Sequence, residues 1–385
     1  MQQTIFDILY EKYKIDKPIR LIELFAGYGS QALALKYLGV KFEHWKICEW
    51  NIKSIQAYKD IHFTDTDIEL NPDRTKEEMV EFLYQKGISN NWNDPMSKEQ
   101  IMRLNESQLK TIIKNIAITH NLVNIQNVKG EDLEIKDTDK YTYIMTYSFP
   151  CQDLSLAGNR KGMSDTSTRS GMLWEVERIL SESKNKPQVL LMENVIQVHS
   201  QENLQDFNRW QLRLEELGYK NYWQDLIATD YGIPQTRNRT FMVSILGDYS
   251  YTFPQPIPLK LKLKDMLEEN VDKKYFLSER LIKTLNSDKN INGYVRGKQF
   301  RNNINRITAI TLTAAPQERT NANYIGDLEK LRIRKLIPIE RFRLMGVRDE
   351  DINNVLKNQS DSSAYHLAGD SIVVNVLMAI FKEMI

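Results

Sequence analysis

Near the beginning of the chain, the order strand, glycine turn, helix and strand restricts the possible folds more than any other feature of the sequence. The run Leu21–Phe25 has the composition of a short β-strand, Ala26–Gly29 that of a turn, and Phe42–Glu49 that of a second strand. Between them, over residues 32–38, apolar side chains recur at helical spacing. These segments are typical of the βαβ unit of a doubly wound sheet. We therefore predict an α/β fold.

The same alternation of apolar strands and amphipathic helices resumes after residue 140. In between, residues 65–126 form a polar, helix-rich insertion whose chemistry the sequence does not reveal. We also expect a short amphipathic helix over the first twenty residues, ending near Pro18. The other predicted strands are Tyr143–Tyr147, Val189–Met192 and Thr240–Leu246, and the other predicted helices are Met172–Leu180, Phe207–Leu217, Pro338–Met345 and Ser371–Phe381.

The proline-rich segment Pro254–Pro258 is the clearest linker signal and divides the chain into two predicted domains. A chain of 385 residues exceeds what one hydrophobic core usually holds, which favours one large domain and one smaller domain. The alternation of strands and helices stops at the linker. We expect residues 1–253 to form the large domain, residues 254–330 the smaller domain, and residues 331–385 to return to the large one.

Charge is distributed unevenly between these domains. The net charge of the chain is only +1, yet residues 257–335 contain 17 Lys and Arg against nine Asp and Glu. Such a local excess is the electrostatic footprint of a polyanionic partner. No uninterrupted run of about 20 apolar residues offers a membrane span. The two cysteines, Cys48 and Cys151, offer no disulfide framework, which fits a reducing cytoplasm.

The turn Ala26–Gly29 and the carboxylate of Glu49 are positioned to bind a nucleoside-like ligand. A glycine turn after a strand lets the backbone approach a ligand. Equally often, such a turn only reverses the chain and binds no ligand. Glu49, at the end of the next strand, can bind both ribose hydroxyls of an adenosyl group. Position 32 is Ala32, where a pyrophosphate-binding turn has a third glycine, and this favours S-adenosylmethionine. Trp50 would stack on the adenine or, alternatively, belong to the core.

Two further residues follow predicted strands and have reactive side chains. Cys151 comes directly after Pro150, on a turn that the proline stiffens, and is positioned as an exposed nucleophile. A lone cysteine is otherwise more often a small buried hydrophobe. Glu193 follows the strand 189–192, at the edge where doubly wound sheets bind ligands. Removal from water disfavours a charged carboxylate, so Glu193 can act as a proton donor; a solvated or capping role is the alternative.

Two groups of basic residues are candidates for contacts with the polyanion. Arg237 and Arg239 lie two positions apart, so in an extended segment both face one side and can bind phosphate or a base carbonyl. Surface salt bridges are the alternative for this pair. Residues 289–306 carry five basic residues and no acid, interleaved with glycines and aromatic residues such as Gly297 and Phe300. Flexible backbone with arginines suits the reading of a DNA groove, and a solvated basic loop is the alternative.

Taken in order, these motifs resemble those of the DNA cytosine-5 methyltransferase family. The resemblance extends over residues 20–381. The long insertion and the run Ser148–Ser155 are similar to the branch that includes the mollicute CpG methyltransferases. The matching segments are Glu23–Gly29, Glu49-Trp50, Asp132-Leu133, Pro150-Cys151-Gln152, Arg169–Leu173, Glu193-Asn194-Val195, Gln235–Arg239, Thr311–Thr313, Leu336–Gly346 and Gly369–Leu377.

The resemblance implies a Rossmann-like, S-adenosylmethionine-dependent methyltransferase domain and a smaller target-recognition domain over residues 254–330. Such an enzyme transfers a methyl group from S-adenosylmethionine to C5 of cytosine in a specific short sequence of double-stranded DNA. The cytosine must leave the base stack before it can react. Cys151 would attack C6, a protonated Glu193 would bind N3, and Arg239 would hold O2.

The resemblance also implies a set of site residues, with one departure from the family pattern. Where the family has Asn in its last motif, this chain has Asp370. We expect no metal ion in the site. The implied catalytic residues are Cys151, Glu193, Arg237 and Arg239; the cofactor-binding residues are Phe25, Gly27, Gly29, Glu49, Trp50, Asp132, Leu133, Pro150, Leu173, Asp370 and Ser371; the DNA-binding residues are Gln152, Ser155, Arg296, Lys298, Arg301 and Thr311.

Three other functions share parts of this pattern. A tRNA cytosine-5 methyltransferase would share the catalytic motifs, but the basic small domain favours duplex DNA. A non-catalytic DNA-binding regulator would not need the complete set Cys151, Glu193 and Arg239. An NAD-dependent dehydrogenase would share the βαβ unit but has no use for Pro150-Cys151-Gln152. We expect a monomer in the cytoplasm of a bacterium, encoded by the host or a phage, without membrane contact and with a cognate restriction endonuclease as a candidate partner.

Overall fold

A six-stranded sheet is the main element of the fold. The structure is a computed structural model and describes residues 10–69, 74–150, 170–288, 290–291, 294–314 and 319–385. The strands of the sheet are β1 (Ile19–Leu24), β2 (Phe42–Cys48), β3 (Thr142–Tyr147), β4 (Val189–Val195), β5 (Tyr219–Ile227) and β6 (Asn238–Leu246). They lie in the order β2-β1-β3-β4-β6-β5. Strands β1 to β4 are parallel and β6 is antiparallel to β4, which confirms the predicted α/β fold with its mainly parallel sheet.

Helices follow the first four strands, as the βαβ pattern predicts. The helices that follow β3 and β4, Leu173–Glu182 and Leu204–Glu216, place apolar side chains such as Val176 and Trp210 in one core with the buried residues of these strands. The indole N–H of Trp210 donates to the hydroxyl of Tyr147 at 3.2 Å, which satisfies both buried polar atoms. The helices up to residue 216 are α1 (Ser30–Tyr37), α2 (Ile52–His62), α3 (Lys76–Lys86), α4 (Lys98–Met102), α5 (Glu106–Ile118), α6 (Leu173–Glu182) and α7 (Leu204–Glu216).

The insertion between β2 and β3 is helical, as predicted, and has a core of its own. Helices α3, α4 and α5 each begin with a reciprocal capping box, formed by Thr75 with Glu78, Ser97 with Gln100, and Asn105 with Gln108. The apolar residues of the three helices form one buried cluster with Ile55 of α2, and Trp50 packs against it. The insertion therefore supports the residues that directly follow β2.

The chain divides into two compact units. The first comprises Met1–Leu226, Arg239–Pro254 and Leu377–Ile385, and the second comprises Ile227–Asn238 and Gln255–Val376. Residues 331–376, which we expected to return to the large domain, thus belong to the second unit. The assignment of catalysis and target recognition to separate domains stays a prediction.

The second unit has its own hydrophobic cluster and two short sheets. Its core contains Leu277, Ile282, Leu285, Phe300, Ala322, Tyr324 and Ile333. The elements from residue 255 onwards are α8 (Glu279–Leu285), β7 (Asn290–Ile291), β8 (Tyr294–Val295), α9 (Arg296–Asn302), β9 (Tyr324–Asp327), β10 (Arg332–Lys335), α10 (Pro338–Arg343), α11 (Asp349–Leu356), α12 (Asp361–Asp370) and α13 (Val374–Lys382).

Two sequence-based expectations are wrong. Residues 10–17 form no helix; instead the backbone N–H groups of Tyr13 and Ile15 donate to carbonyls that are distant in sequence, Ser250 O at 3.0 Å and Met384 O at 2.6 Å. Gly297 does not lie in a flexible loop but within α9, where a Cβ would overlap the carbonyl of Asn286.

Residues 361–382 have the length and apolar composition of a membrane span, and they include α12 and α13. Their most apolar window is 61% buried inside the protein, as in the core helix of a soluble protein. In addition, Ser371–Val373 separate the two helices. This stretch is therefore weak support for a membrane helix.

A buried carboxylate lies at the end of β1. Glu23 accepts hydrogen bonds from the hydroxyl of Tyr58 at 2.6 Å and from the backbone N–H of Ala32, at the start of α1, at 3.2 Å. Despite these bonds, burial raises the pKa of Glu23 from 4.5 to about 7. The hydroxyl of Tyr58 lies 2.8 Å from Nδ1 of His44, so the carboxylate is one end of a buried polar chain.

We predict that Glu23 makes the protein less stable as pH rises. Its pKa in the folded state lies above the ordinary value, so between pH 4.5 and about 7 the folded state binds more protons than the unfolded state. The free energy of unfolding therefore falls through this window, by on the order of 3 kcal/mol, and Glu23→Gln removes this dependence. Urea unfolding at pH 5 and pH 8 tests this, with the exposed Glu77→Gln as the control. The prediction is wrong if the free energies of unfolding of the wild type and Glu23→Gln differ by the same amount at both pH values.

Candidate active site

The turn after β1 is held in an unusual backbone conformation. Phe25, Gly27 and Gly29 have φ angles of +58°, +56° and +82°. A left-handed φ is strained for a bulky residue such as Phe25, and strain of this kind is common at functional sites. The backbone N–H of Ala26 donates to Cys48 O at 3.2 Å, which ties the turn to the end of β2.

Glu49 completes this turn from the neighbouring strand. One oxygen of its buried carboxylate accepts the N–H of Gly27 at 2.9 Å, and the other accepts the N–H of Asn51 at 2.7 Å. The side chain of Asn121 brackets the same residue, since its Oδ1 accepts the Glu49 N–H at 3.1 Å and its Nδ2 donates to Glu49 O at 2.9 Å. These bonds fix the carboxylate of Glu49 beside Gly27.

The two glycines of the turn differ in their surroundings. A Cβ on Gly27 would meet no atom of the described residues within 4 Å, so in this part of the chain the backbone at Gly27 faces open space. A Cβ on Gly29 would lie 2.6 Å from Cε2 of Tyr58 and would also overlap the imidazole of His62. Gly27 can therefore let a ligand approach the backbone, whereas Gly29 is required for packing. This open turn beside an anchored carboxylate fits an adenosyl ligand.

The other cofactor candidates of the first unit have mixed environments. Trp50 is partly buried against the insertion core. The carboxylate of Asp132 accepts the N–H of Lys129 at 2.8 Å and so closes a short 3-10 turn. Leu133 is fully buried, and its carbonyl accepts the indole N–H of Trp45 at 2.8 Å. Leu173 is fully buried at the first position of α6.

The carboxyl ends of β3 and β4 lie side by side because the two strands are parallel neighbours. Asn194 joins them: its side-chain N–H donates to Phe149 O at 3.0 Å, and its Oδ1 accepts the N–H of Val195 at 2.8 Å. Pro150 is half-buried and is the last described residue of this segment. The predicted residues Cys151, Gln152 and Ser155 follow it in the chain and lie outside the described residues.

Glu193 and Arg239 form an ion pair near the same end of the sheet. Nε of Arg239 lies 3.2 Å from Oε1 of Glu193, and the side chains are 17% and 9% exposed. Glu193 lies in β4 and Arg239 in β6, which pairs with β4 in antiparallel register. The sheet thus brings together two residues that are 46 positions apart and were both predicted as catalytic.

Arg237 has different partners from Arg239. Its guanidinium donates to three backbone carbonyls of the second unit, those of Leu312 at 2.9 Å, Gly369 at 3.2 Å and Ser371 at 2.8 Å. Gln235 acts in the same way, since its Nε2 donates to Leu344 O at 2.7 Å and its Oε1 accepts the Leu312 N–H at 2.9 Å. These two side chains hold together segments that are distant in sequence.

The predicted residues that follow in the second unit lie close to this network. The hydroxyl of Thr311 donates to Thr236 O at 3.1 Å. Asp370, which is 58% exposed, has an oxygen 3.3 Å from Nε2 of His366. The hydroxyl of Ser371 donates to Ala368 O at 3.1 Å. Gly369 is required here, because a Cβ at this position would overlap the backbone of Thr313.

The basic residues predicted to bind DNA lie on α9. Lys298 is exposed and Arg296 is half-exposed. Arg301 is exposed but already pairs with Asp288 at 2.8 Å and with Oδ1 of Asn286 at 2.8 Å. Phe300 is fully buried in the core of the second unit, so it does not offer a ring to a partner. Arg296 and Lys298 are the better candidates for contacts with an anion.

Three organising residues were missed as functional candidates: Asn121, Asn194 and Gln235. Asn194 and Gln235 lie inside motifs that the sequence does show, beside the residues to which a chemical role was given. A buried amide needs both its donor and its acceptor satisfied, and each of these amides bonds to backbone atoms in two directions. Cys48 is buried in β2, and burial raises the pKa of its thiol.

Comparison with solved structures defines the fold of the chain. The crystal structure of the S. pombe Dnmt2 methyltransferase is similar with a TM-score of 0.63 at 17% identity, over 94% of this chain and 97% of that one. The structure of the Entamoeba histolytica methyltransferase EhMeth is similar with a TM-score of 0.61 at 14% identity, over 96% and 98%. The fold is therefore that of a Rossmann-like methyltransferase.

Comparison of sequences identifies the family. The family described as C-5 cytosine-specific DNA methylase matches residues 97–385. The Type II methyltransferase M2.ScrFI of Lactococcus lactis subsp. cremoris is 32% identical over 95% of this chain and 99% of that protein. The orphan methyltransferase M.SssI of Spiroplasma monobiae is 33% identical over 96% and 97%. The chain belongs to the cytosine-5 DNA methyltransferase family, and its similarity to M.SssI confirms the predicted resemblance to the mollicute branch.

We predict that Gly29→Ala destabilises the protein far more than Gly27→Ala. Both positions have a left-handed φ, which costs about 1–2 kcal/mol for alanine, but only Gly29 is also packed against Tyr58 and His62. Overpacking adds about 1–3 kcal/mol at Gly29. Chemical unfolding of the two variants measures the difference, and Gly27→Ala serves as the matched control for φ. Equal losses of stability would contradict the packing that the structure shows.

Proposed function

We propose that this enzyme methylates C5 of cytosine within a specific short sequence of double-stranded DNA, with S-adenosylmethionine as methyl donor and Cys151 as nucleophile. The observation that carries the proposal is the arrangement at the ends of β3, β4 and β6. There, Asn194 binds the carbonyl of Phe149, two residues before Cys151, and Glu193 pairs with Arg239. Glu193, the proposed proton donor, and Arg239, the residue proposed to bind the cytosine, are thus held next to the segment that leads to Cys151.

The turn after β1 and Glu49 are the proposed cofactor site. Glu49 would accept hydrogen bonds from the two ribose hydroxyls, while the open backbone at Gly27 allows the nucleoside to approach. Trp50 would contribute its ring to the adenine, with Asp132 and Leu133 at the adenine edge. When bound, S-adenosylmethionine supplies an electrophilic methyl group on a sulfonium. Asp370 and Ser371 would contact its methionine end.

The residues at the ends of β3, β4 and β6 account for the proposed activation of cytosine. Cytosine C5 is a poor nucleophile, so the thiolate of Cys151 adds to C6 and forms a covalent bond to the base. Glu193, protonated, donates to N3 and stabilises the electron-rich adduct, and Arg239 donates to O2. C5 thereby becomes nucleophilic enough to accept a methyl group. Loss of the C5 proton and departure of the thiolate from C6 then restore the aromatic base and the free enzyme.

The contacts of Arg237 favour a positioning role for this residue within the proposed site. All three of its described carbonyl partners belong to the second unit, and two of them are in the segment Gly369–Ser371, which contains Asp370. A guanidinium used in this way orients the backbone of that segment. Arg239 is then the arginine that we assign to the base.

Recognition of the DNA would use the basic residues of the second unit. Arg296 and Lys298 on α9 would contact the phosphate backbone or base edges, with Arg301 restricted by Asp288. Thr311, Gln152 and Ser155 would lie nearer the base. Flipping of the cytosine costs a few kcal/mol, which these contacts with DNA offset. We further propose that the enzyme is a cytoplasmic monomer of bacterial or phage origin that acts in a restriction-modification system, with a cognate endonuclease as a candidate partner.

We predict that Glu49→Ala weakens the binding of S-adenosylmethionine by about 1.5–3 kcal/mol, the scale of hydrogen bonds to a charged group. The variant loses the ribose acceptor and also the bond that fixes Gly27. Isothermal titration calorimetry measures the affinity, and thermal unfolding confirms that the variant is folded. The control is Glu106→Ala, which removes an exposed carboxylate from α5. Unchanged affinity in folded Glu49→Ala would remove Glu49 from the site.

Covalent capture tests the assignment of Cys151. Duplex DNA with 5-fluorocytosine at the target position should trap the enzyme after methyl transfer, because fluorine cannot leave as a cation and the thiolate is then not released. We expect an adduct that survives denaturing electrophoresis, requires S-adenosylmethionine and is absent in Cys151→Ser, whose hydroxyl is a far weaker nucleophile.

The second cysteine provides the control for this experiment. Cys48 is buried in β2 and its thiol donates to Val123 O at 3.2 Å. Cys48→Ala should therefore form the adduct as the wild type does. Trapping that persists in Cys151→Ser, or methylation by that variant, would disprove the proposed nucleophile.

A further inference from the structure

A cavity of about 660 Å³ lies in the first unit, between β2 and the helices of the insertion. Its volume is in the range of sites for small organic ligands. None of the described residues that line this cavity is proposed to bind the cofactor. The proposed mechanism gives the cavity no role. It is lined by Trp45, Lys46, Arg74, Phe82, Lys86, Ile113, Ile116, Ala117, His120, Asn121, Leu122 and Glu134.

The polar lining of this cavity is predominantly cationic. Lys46 pairs with Glu134 at 2.9 Å, and Glu134 is the only carboxylate among the described lining residues. The guanidinium of Arg74 and the ammonium of Lys86 both lie over the ring of Phe82, at 5.1 and 5.9 Å from its centroid. Neither forms an ion pair with a described carboxylate, although both are partly buried. Both cations thus lie near the same ring and line the same cavity, which favours an anionic ligand there.

The rest of the lining is apolar and partly aromatic. The rings of Trp45 and Phe82 border the cavity, and Ile113 and Ile116 of α5, with Leu122, form an apolar surface beside them. A free inorganic anion would not use this surface, whereas an organic phosphate with a flat ring would bury the ring there and place its phosphate at Arg74 and Lys86. The volume accommodates one such molecule.

We propose that this cavity is a binding site for an organic phosphate of mononucleotide size. Arg74 and Lys86 bind the phosphate, with the guanidinium able to bind two oxygens at once. The aromatic and apolar side chains hold the ring. The rim contains two non-glycine residues with left-handed backbone, His120 and Glu134, with φ of +50° and +49°. Backbone strain of this kind persists where the surrounding structure fixes a site.

The site is also linked to the residue proposed to bind the cofactor. Asn121 lines the cavity and brackets the backbone of Glu49 with bonds of 3.1 and 2.9 Å. A ligand in the cavity that shifts Asn121 would therefore also shift the backbone of Glu49. This link rests on the proposed function of Glu49, whereas the binding of a phosphate does not.

Calorimetry with adenosine 5′-monophosphate tests the site, in the presence of saturating S-adenosylhomocysteine so that the cofactor site is filled. We expect saturable binding to the wild type and a loss of roughly tenfold or more in Arg74→Gln/Lys86→Gln, the scale of hydrogen bonds to a charged group. Lys110→Gln is the control, since Lys110 is an exposed lysine of α5 outside the cavity lining. It should bind as the wild type does.

Further titrations separate a nucleotide site in this cavity from binding at the cofactor site or at a DNA-binding surface. Adenosine and inorganic phosphate, titrated alone, should each bind more weakly than the monophosphate. Equal binding of phosphate alone would overturn the role of the apolar surface.

Two outcomes would overturn the site: no binding of adenosine 5′-monophosphate once S-adenosylhomocysteine is present, or equal binding by the wild type and the double variant. Competition by a non-target duplex that depends on the same two residues would assign them to DNA phosphates instead. If the double variant does not fold, the single variant Arg74→Ala tests the site instead. Arg74 comes before Thr75, the N-cap residue of α3, so its replacement leaves the helix itself unchanged.

Discussion

The parallel pairing of β1, β3 and β4 places the proposed site residues of the first unit at the carboxyl ends of the strands. Each of these strands is buried along its length, so the hydrophobic core fixes their register. Once the register is set, the turn after β1, the segment after β3 and Glu193 in β4 lie on the same side, because parallel strands end together. Side-chain amides then fix the finer geometry: Asn194 joins β3 to β4, and Asn121 fixes Glu49. Core packing brings the elements together, and buried hydrogen bonds orient them.

Polar side chains that bind backbone atoms are the recurring means of support around the site. Glu49 binds two N–H groups, and Arg237 binds three carbonyls. Backbone groups of irregular segments cannot pair with each other as they do in a sheet, and burying them unpaired is costly. These side chains therefore let turns and loops lie inside the protein. The site can combine conformational precision with segments that have no regular secondary structure.

Much of the fold, but less of the detailed site, could be predicted from the sequence. The strands that became β1, β3 and β4 are short and mostly apolar, and β2, although it is more polar, follows the glycine turn and helix of the βαβ unit. Glu49 and Glu193 were recognisable because each comes at or near the end of a predicted strand. Strand β5 was missed because it lies at the edge of the sheet, where polar residues such as Lys220 and Gln224 interrupt the apolar pattern. From their spacing, the side chains of Arg237 and Arg239 were predicted to face the same side of an extended segment. Strand β6, however, begins between them at Asn238, and the partners of Arg237 come from segments that no local pattern reveals.

The last residues of the chain complete the first unit, and this has a consequence for its synthesis. Lys12 pairs with Glu383 at 2.7 Å, and Tyr251 donates to Ile380 O at 3.2 Å. A ribosome synthesises the chain from its N-terminus, so the first unit cannot make these contacts until residues 377–385 have emerged. During translation, the hydroxyl of Tyr251 and the backbone N–H of Ile15 therefore stay without these partners until residues 380–384 have emerged.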